Sequence, residues 1–275
     1  EQKLISDINN NNIEMVIPIL YSCFSIEKES KPFVEDKLFV LDKQIMTLKV
    51  KCLESNNKPP VLSVFRGFSS PVIWESDLST DDHLFLFLND TDYFTKWDSG
   101  QFLMRKIIKR RIENQVETRL ENSFKNAIKK SIKDLERKDP SLLATIISLP
   151  GLSEIECLYE RVNPISIYKE YIKFQVSIGI YLLDDLRILN DKLLVKVNQS
   201  WPKGNGERKL LATIWSYLTL AGDRTVKKNC VDSISHSSMT IARAALEALK
   251  PLDITETEEA SNLFYNLWEE NPVVL

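Results

Sequence analysis

The segment SVFRGFSSPV (Ser63–Val72) separates two parts of the chain that differ in the spacing of their apolar residues. Before it, short apolar runs alternate with polar residues, a pattern that is typical of strands with one buried face. After Leu78 the apolar residues recur at intervals of three and four, as on a helix with one buried side. The segment therefore predicts a junction between a β-domain at 1–74 and a helical domain at 75–275.

The first part predicts a small β-sandwich, which is Ig-like and possibly incomplete. Alternation is clearest at Leu48, Val50 and Cys52. Pro18 has no amide hydrogen to donate, so its strand is expected at an edge or with a bulge. We expect the last strand to end near Val72–Trp74. The apolar runs that predict strands are 15–26, 37–42, 44–53 and 61–65.

Signals for the start of a helix recur along the second part and predict about ten helices joined by short loops. Ser79 is followed three residues later by Asp82, which forms a capping box. The resulting fold class is α+β and mainly α, with a small N-terminal β-sandwich followed by an α-solenoid-like stack. Further signals of this kind are Asp139–Pro140, Ser153 with Glu156, Asn163–Pro164, and Asp223 after Gly222.

Apolar residues between these signals predict which faces of the helices are buried. The predicted buried faces are Met104, Ile108, Ile112 and Val116; then Ile172, Val176, Ile180 and Leu183; then Leu210, Ile214 and Leu218.

Composition excludes several classes of protein. Seven glycines in 275 residues are too few for phosphate-cradling or dinucleotide-binding turns, and no such motif is present. A net charge of −3 gives no general attraction to nucleic acid or anionic membranes. No apolar run approaches the length of a membrane-spanning helix. The four cysteines are far apart and lack metal-type spacing, so we expect reduced thiols and a cytoplasmic location.

Candidate catalytic groups are few. His83 and His236 are the two histidines, and neither is followed by the glutamate of a zinc-peptidase motif. Cys230 and His236 are six residues apart, which places them on different helix faces. Carboxylates such as Asp184–Asp185, Glu256, Glu258 and Glu259 point in different directions on a helix. We therefore predict no catalytic, cofactor-binding or metal-binding residue in this chain.

Residues 105–138 form the most charged region, with twelve Lys or Arg against five Asp or Glu. This surface could contact RNA. However, Glu113, Glu117 and Glu121 stand among the basic residues at intervals of four, as on a helix whose charges pair with each other. We favour the self-paired surface and expect no nucleic-acid partner.

Trp97 belongs to an aromatic group with Tyr93 and Phe94 at one-turn spacing. We expect it to be buried as a packing anchor between layers. A platform for stacking a ligand is the alternative.

Four segments together resemble consecutive landmarks of one enzyme family. The chain resembles the zinc-dependent alanyl aminopeptidase (aminopeptidase N) family, and most closely its bacterial and parasite branch, over roughly residues 13–270. Departures from the family pattern are mild: Ser70 for Ala, Asn89 for His, Lys96 for Arg, Asp98 for Glu and Asn163 for Asp. The four segments are SVFRGFSSPV (63–72), FLFLNDTDYFTKWDSGQFLM (85–104), DPSLLATIISLPGLSEIECLYERVNPISI (139–167) and SMTIARAALEAL (238–249).

The resemblance implies a non-catalytic part of a larger enzyme: the end of its small β-sandwich and the first portion of its C-terminal helical domain. The family's zinc motif H-E-x-x-H and its substrate-amine motif G-x-M-E-N have no counterpart here, so no site residue is carried over. The implied partners are the catalytic domain of the same polypeptide and peptide substrates. Zinc is implied only for the full-length enzyme. We also expect the helical domain to continue beyond Leu275. The alternative function is a free-standing helical scaffold that binds a protein partner.

Overall fold

The computed structural model describes residues 16–26, 31–51, 59–197, 203–252 and 254–271. The chain divides into two compact units, Glu1–Leu103 and Met104–Leu275. The first, called the sheet unit, holds all the described strands and the first helix. The second, called the helical unit, holds the described helices beyond residue 112. The division falls inside a long helix, and a domain boundary at residues 74 and 75 stays a prediction.

The sheet unit contains a three-stranded antiparallel sheet with strand order β2–β1–β3. The strands are β1 (Ile17–Phe24), β2 (Pro32–Leu41) and β3 (Val61–Val64). β1 is central and irregular, with shifts in register between Tyr21 and Phe24. Pro18 is tolerated because β3 pairs with β1 only from Tyr21 onward, so no ladder hydrogen bond needs its missing amide hydrogen. The Pro18 carbonyl accepts a hydrogen bond from the Ser70 hydroxyl at 2.6 Å instead.

Two strand predictions were wrong. Residues 44–51 form no strand, and Cys52 and Leu53 lie outside the described residues. Ile45 and Leu48 are exposed, so the alternating apolar residues of this segment do not form a buried strand face. The last strand ends at Val64 and not near Val72–Trp74. Phe65 adopts a left-handed conformation with φ of 56°, and a short 3-10 helix follows at Arg66–Phe68, so the chain leaves the sheet there.

Eleven α-helices lie within the described residues. Ser79, Asp139, Asn163 and Asp223 each cap a helix through the side chain, as predicted. The bounds are α1 (Thr80–Asn89), α2 (Tyr93–Ile112), α3 (Thr118–Leu135), α4 (Pro140–Ile147), α5 (Leu152–Glu156), α6 (Pro164–Tyr181), α7 (Leu183–Leu194), α8 (Asn205–Leu220), α9 (Arg224–Ser233), α10 (Met239–Leu249) and α11 (Ile254–Trp268). This order, a small sheet followed by stacked helices, confirms the predicted fold class.

The predicted capping box at Ser153 and Glu156 was wrong. Helix α5 begins after Gly151, which is its N-cap residue. The Gly151 amide donates a hydrogen bond to Glu154 Oε1 at 3.1 Å. This is one half of a capping box, since glycine has no side chain to accept the return bond.

Helix α8 forms the centre of the helical unit. Leu210, Ile214 and Leu218 are fully buried, as predicted. α8 packs against α4, α6, α7, α9 and α10. Contact with α6 is close because Gly179 of α6 faces the backbone of α8: a Cβ atom at Gly179 would lie 2.5 Å from the carbonyl oxygen of Tyr217. The two backbones therefore meet at a separation that only glycine permits.

The predicted buried face of α6 was wrong. Ile167, Phe174 and Ile178 are buried, whereas Ile180 is exposed and Val176 is half-buried. α6 carries apolar residues on two sides, so spacing alone could not tell which side packs against the core.

Candidate functional site

The junction segment is organised around Arg66, which is buried in the sheet unit. Its guanidinium forms ion pairs with Asp90, which is fully buried, and with Asp36 at 2.6 Å. It also donates a hydrogen bond to Thr91 Oγ1 at 2.8 Å. Burial alone would lower the pKa of Arg66, but the two carboxylates outweigh burial and raise it. Arg66 therefore stays charged and connects β2 to the loop between α1 and α2.

Asp92 extends this arrangement, which we call the Arg66 network. Its carboxylate accepts hydrogen bonds from the amides of Gly67, at 3.0 Å, and Thr95, at 2.8 Å. Gly67 has φ of 60°, a left-handed conformation that glycine adopts without strain. The Thr95 hydroxyl in turn lies 3.3 Å from that of Ser63 in β3. The partners of these side chains lie within the sheet unit, and Asp90 Oδ2 is buried without a hydrogen-bond partner. The network connects the junction segment to β2 and to the loop between α1 and α2.

The two histidines have local structural partners. The ring of His83 is buried and stacked on Phe102, with centroids 3.8 Å apart. His236 lies in the loop between α9 and α10, where its Nδ1 accepts a hydrogen bond from the Ser238 amide at 2.9 Å. Among the described residues no three His, Cys, Asp or Glu side chains come together as metal ligands. The described residues therefore do not fit a zinc site. The absence of a zinc site from the whole chain stays a prediction.

Cys230 is unsuited to act as a nucleophile. It is fully buried, and burial raises the pKa of its thiol to about 12. A reactive cysteine needs the opposite shift, because the thiolate is the attacking species.

The candidate carboxylates are not gathered into one site. Asp185 pairs with Lys129 of α3 at 2.8 Å, while Asp184 lies 3.9 Å from Arg187 on its own helix. Glu258 and Glu259 are exposed on α11, and the side chain of Glu256 lies outside the described residues. The pair at 184 and 185 serves two different cations, which is the arrangement expected of a solvated face.

The charged surface of 105–138 is paired partly with itself and partly with later helices. Arg111 of α2 and Glu121 of α3 form a two-pronged pair with both distances 2.7 Å. Arg110 and Glu117 form a more exposed pair at 3.0 Å. Partners from outside the region are Glu154 for Arg105, Asp185 for Lys129 and Lys192 for Glu136.

Trp97 is half-buried, so the expectation of a buried anchor was wrong. Its ring contacts Phe94, with centroids 5.7 Å apart, and Phe94 contacts Phe68, with centroids 5.2 Å apart. Tyr93 and Phe68 are mostly exposed. Phe68, Phe94 and Trp97 are therefore joined by successive ring contacts within the sheet unit.

Two concave surfaces of the helical unit are lined by residues that the structure describes. One, of about 400 Å³, lies between α8 and α10 and is lined largely by small side chains. The other, of about 600 Å³, lies between α9 and α11 and is called the α9–α11 groove. It is lined by Arg224, Lys227, Lys228, Val231, Leu249, Glu259, Ala260 and Leu263. This groove was not predicted, although the spacing of Arg224, Lys227 and Lys228 in the first turns of α9 is visible in the sequence.

No helix within the described residues is long and apolar enough to cross a membrane.

Comparison with known proteins gives consistent matches along the chain. Residues 1–77 match the DUF3458 domain of unknown function with an Ig-like fold, and residues 80–275 match DUF3458_C, described as ARM repeats. Aminopeptidase N of Caulobacter vibrioides is 25% identical over 258 residues, covering 88% of this chain and 28% of that protein. Aminopeptidase N of Escherichia coli K12 is 24% identical over 220 residues, covering 78% of this chain and 25% of that protein.

Among solved structures, the aminopeptidase A of Legionella pneumophila in complex with aspartic acid matches with a TM-score of 0.78. It is 20% identical, and the match covers 95% of this chain and 31% of that protein. The fold is therefore shared, and the chain spans between a quarter and a third of the length of the relatives it matches. The chain belongs to the aminopeptidase N family, of which it carries the DUF3458 Ig-like domain and the ARM-repeat domain.

Proposed function

We propose that this chain is a non-catalytic region of a zinc aminopeptidase that removes N-terminal residues from peptides. The observation that carries the proposal is the family match over residues 80–275 together with relatives named aminopeptidase N. The chemistry is supplied by a catalytic domain that this sequence does not contain. Free thiols at Cys23, Cys157 and Cys230 agree with a cytoplasmic location for the enzyme.

In this proposal the stacked helices act as a wall beside the active site. A wall of this kind admits flexible peptides and excludes folded proteins, and it keeps water from the reaction. The continuous core around α8 supports the role, because a wall must hold its shape. The proposed partners are the catalytic domain of the same polypeptide and the peptides that reach it.

The inactivity of the chain alone is tested with purified protein and an alanyl fluorogenic amide, with zinc content measured in parallel. We expect no turnover and no bound zinc, because a zinc peptidase needs three protein ligands and a general base. Turnover that a chelator abolishes, together with one zinc per chain, would contradict the proposal.

The wall is tested in the full-length enzyme, by comparing variants with and without the helical unit. We expect its removal to raise the cleavage of a folded protein with a free N-terminus relative to that of the small amide. An unchanged ratio between the two substrates would show that the helices do not limit access.

A further inference from the structure

We propose that the cavity between α8 and α10 binds a free amino acid with an apolar side chain, whose carboxylate contacts Arg243 and whose ammonium group contacts Glu247. The cavity has a volume of about 400 Å³, and we call it the α8–α10 cavity. The proposal rests on the two opposite charges, on the small side chains between the helices and on the size of the cavity. Amino acids are what an aminopeptidase releases, and only this connection rests on the proposed function.

Arg243 and Glu247 bring opposite charges to the cavity. They lie one turn apart on α10, both are exposed, and both line the cavity. Within the part of the chain that the structure describes, no ion pair or hydrogen bond joins either side chain to another residue. An arginine four residues before a glutamate is the less favourable order on a helix, because the pair opposes the helix dipole. Both charges are therefore available to a ligand.

The two charges together select a zwitterion. An anion alone would bring its charge near Glu247, and a cation alone would bring its charge near Arg243, so each would meet a like charge as well as an opposite one. The Cβ atoms of residues four apart on a helix are about 5–6 Å apart. Two long side chains on those atoms can reach the carboxylate and the ammonium group of one amino acid, which are joined through a single carbon atom.

Small side chains line the space between the two helices. Ala212 of α8 and Ala244 of α10 are half-buried, and Ala248 of α10 is buried. The Thr219 hydroxyl of α8 donates a hydrogen bond to the Ala248 carbonyl at 2.8 Å, which holds the two helices together at one end of the cavity. A volume of about 400 Å³ lies within the range of sites for small molecules. An amino acid such as leucine covers the alanine methyl groups, whereas glycine leaves them in water.

The probe is L-leucine, titrated into the 275-residue chain with carbon-13 in its alanine methyl groups, while NMR records their chemical shifts. We expect saturable shifts at Ala212, Ala244 and Ala248, with a Kd of about 1 mM for a ligand of this size. Leucinamide lacks the carboxylate, 4-methylpentanoate lacks the ammonium group, and glycine lacks the side chain. Each of these three compounds should bind about tenfold more weakly than leucine.

Two single variants assign the contacts. Arg243→Gln should weaken the binding of leucine about tenfold and should not weaken that of leucinamide, because leucinamide has no carboxylate to lose. Glu247→Gln should weaken the binding of leucine to the same extent and should not weaken that of 4-methylpentanoate. The matched control is Arg119→Gln, which removes an exposed cation of α3 that does not line the cavity. The control should bind leucine as the unaltered chain does, and circular dichroism checks that all three variants are folded.

Absence of shifts at the three alanine methyl groups overturns the proposal. Equal losses in Arg243→Gln and in the control also overturn it, because binding would then follow overall charge, and so does unchanged binding of leucine by Arg243→Gln or Glu247→Gln. Tighter binding of the dipeptide glycyl-leucine than of leucine would assign the cavity to peptides and overturns the proposal as well. None of these outcomes bears on the proposed function, because the titrated chain does not contain the catalytic domain.

Discussion

The Arg66 network and the charged surface of α2 and α3 are both built from ion pairs, but they differ in burial. Arg66 and Asp90 have side chains that are 3% and 0% exposed. Arg110 and Glu117 are 39% and 44% exposed. Removal of one partner leaves an uncompensated charge away from water in the first case and a hydrated charge in the second. Burial, and not the number of ion pairs, therefore decides what each region contributes to stability.

The largest effect is expected at the buried end of this comparison. Arg66→Met should lower the free energy of unfolding by about 3–5 kcal/mol, because Asp90 is left buried without its cation. Urea melts of the two proteins measure the difference. The control is Asp36→Asn, which removes the more exposed partner of Arg66 and should cost about 1 kcal/mol or less. Equal losses in the two variants would show that the burial of Asp90 does not matter.

An intermediate effect is expected at Glu121, whose side chain is 6% exposed. Glu121→Gln removes the two-pronged bond from Arg111 and leaves Lys125 nearby without its carboxylate. We expect a loss of about 2 kcal/mol in the free energy of unfolding, as for hydrogen bonds to charged groups. Glu113→Gln is the matched control, since its contact with Lys109 is 4.0 Å long and exposed. A loss at Glu113 as large as that at Glu121 would contradict the comparison.

The ion pair of Asp223 and Arg187 joins a buried carboxylate, 3% exposed, to a guanidinium that is 50% exposed. The dependence of its contribution on pH is a further test of the comparison. Burial would raise the pKa of Asp223, but the amide of Val226 and the guanidinium of Arg187 outweigh it and hold the pKa below the ordinary value of 3.8. The stabilisation is therefore present above pH 3.8 and is lost as the pH falls through the lower folded-state value. Asp223→Asn should cost about 1 kcal/mol at neutral pH, since asparagine still caps α9.

The measurement for Asp223 is the free energy of unfolding in urea at neutral and acidic pH. The difference between the original chain and Asp223→Asn should shrink as the pH is lowered. A constant difference would mean that the charge of Asp223 contributes nothing.

The smallest effect is expected at the exposed end. Arg110→Gln should change the free energy of unfolding by about 0.5 kcal/mol or less, because water and salt screen its pair with Glu117. Urea melts at low and raised salt check this, and raised salt should remove the remaining difference. A loss above about 2 kcal/mol would place this pair with the buried ones and break the comparison.

Features that depend on contacts between residues close in sequence were predicted correctly. The caps at Ser79, Asp139, Asn163 and Asp223 formed because each side chain bonds an amide two or three residues away. The burial of Leu210, Ile214 and Leu218 on α8 was also predictable from their spacing. The burial of Leu211 and Trp215 on its other sides was not predicted, because it depends on the several helices that surround α8.

Features that depend on distant partners were not predictable. Residues 44–51 alternate as a strand does, but alternation cannot supply a neighbouring strand. On α6, two apolar sides compete, and the position of α8 decides between them. The Arg66 network joins residues from 36 to 95, and no spacing rule connects them. The sequence shows the cations of α9 that line the α9–α11 groove. It does not show the groove itself, because the opposite side is formed by α11, whose position depends on the packing of the helices.

Gly179 has a consequence for how the helical unit can deform. A stack of helices bends by small rotations at each interface between neighbouring helices. The side chains in the interface allow the two helices to shift relative to each other. At Gly179 no side chain separates the two helices, since the α6 backbone contacts the Tyr217 carbonyl of α8 directly. Helices α6 and α8 should therefore move as one rigid body, and any elastic bending of the stack must be taken up at its other interfaces.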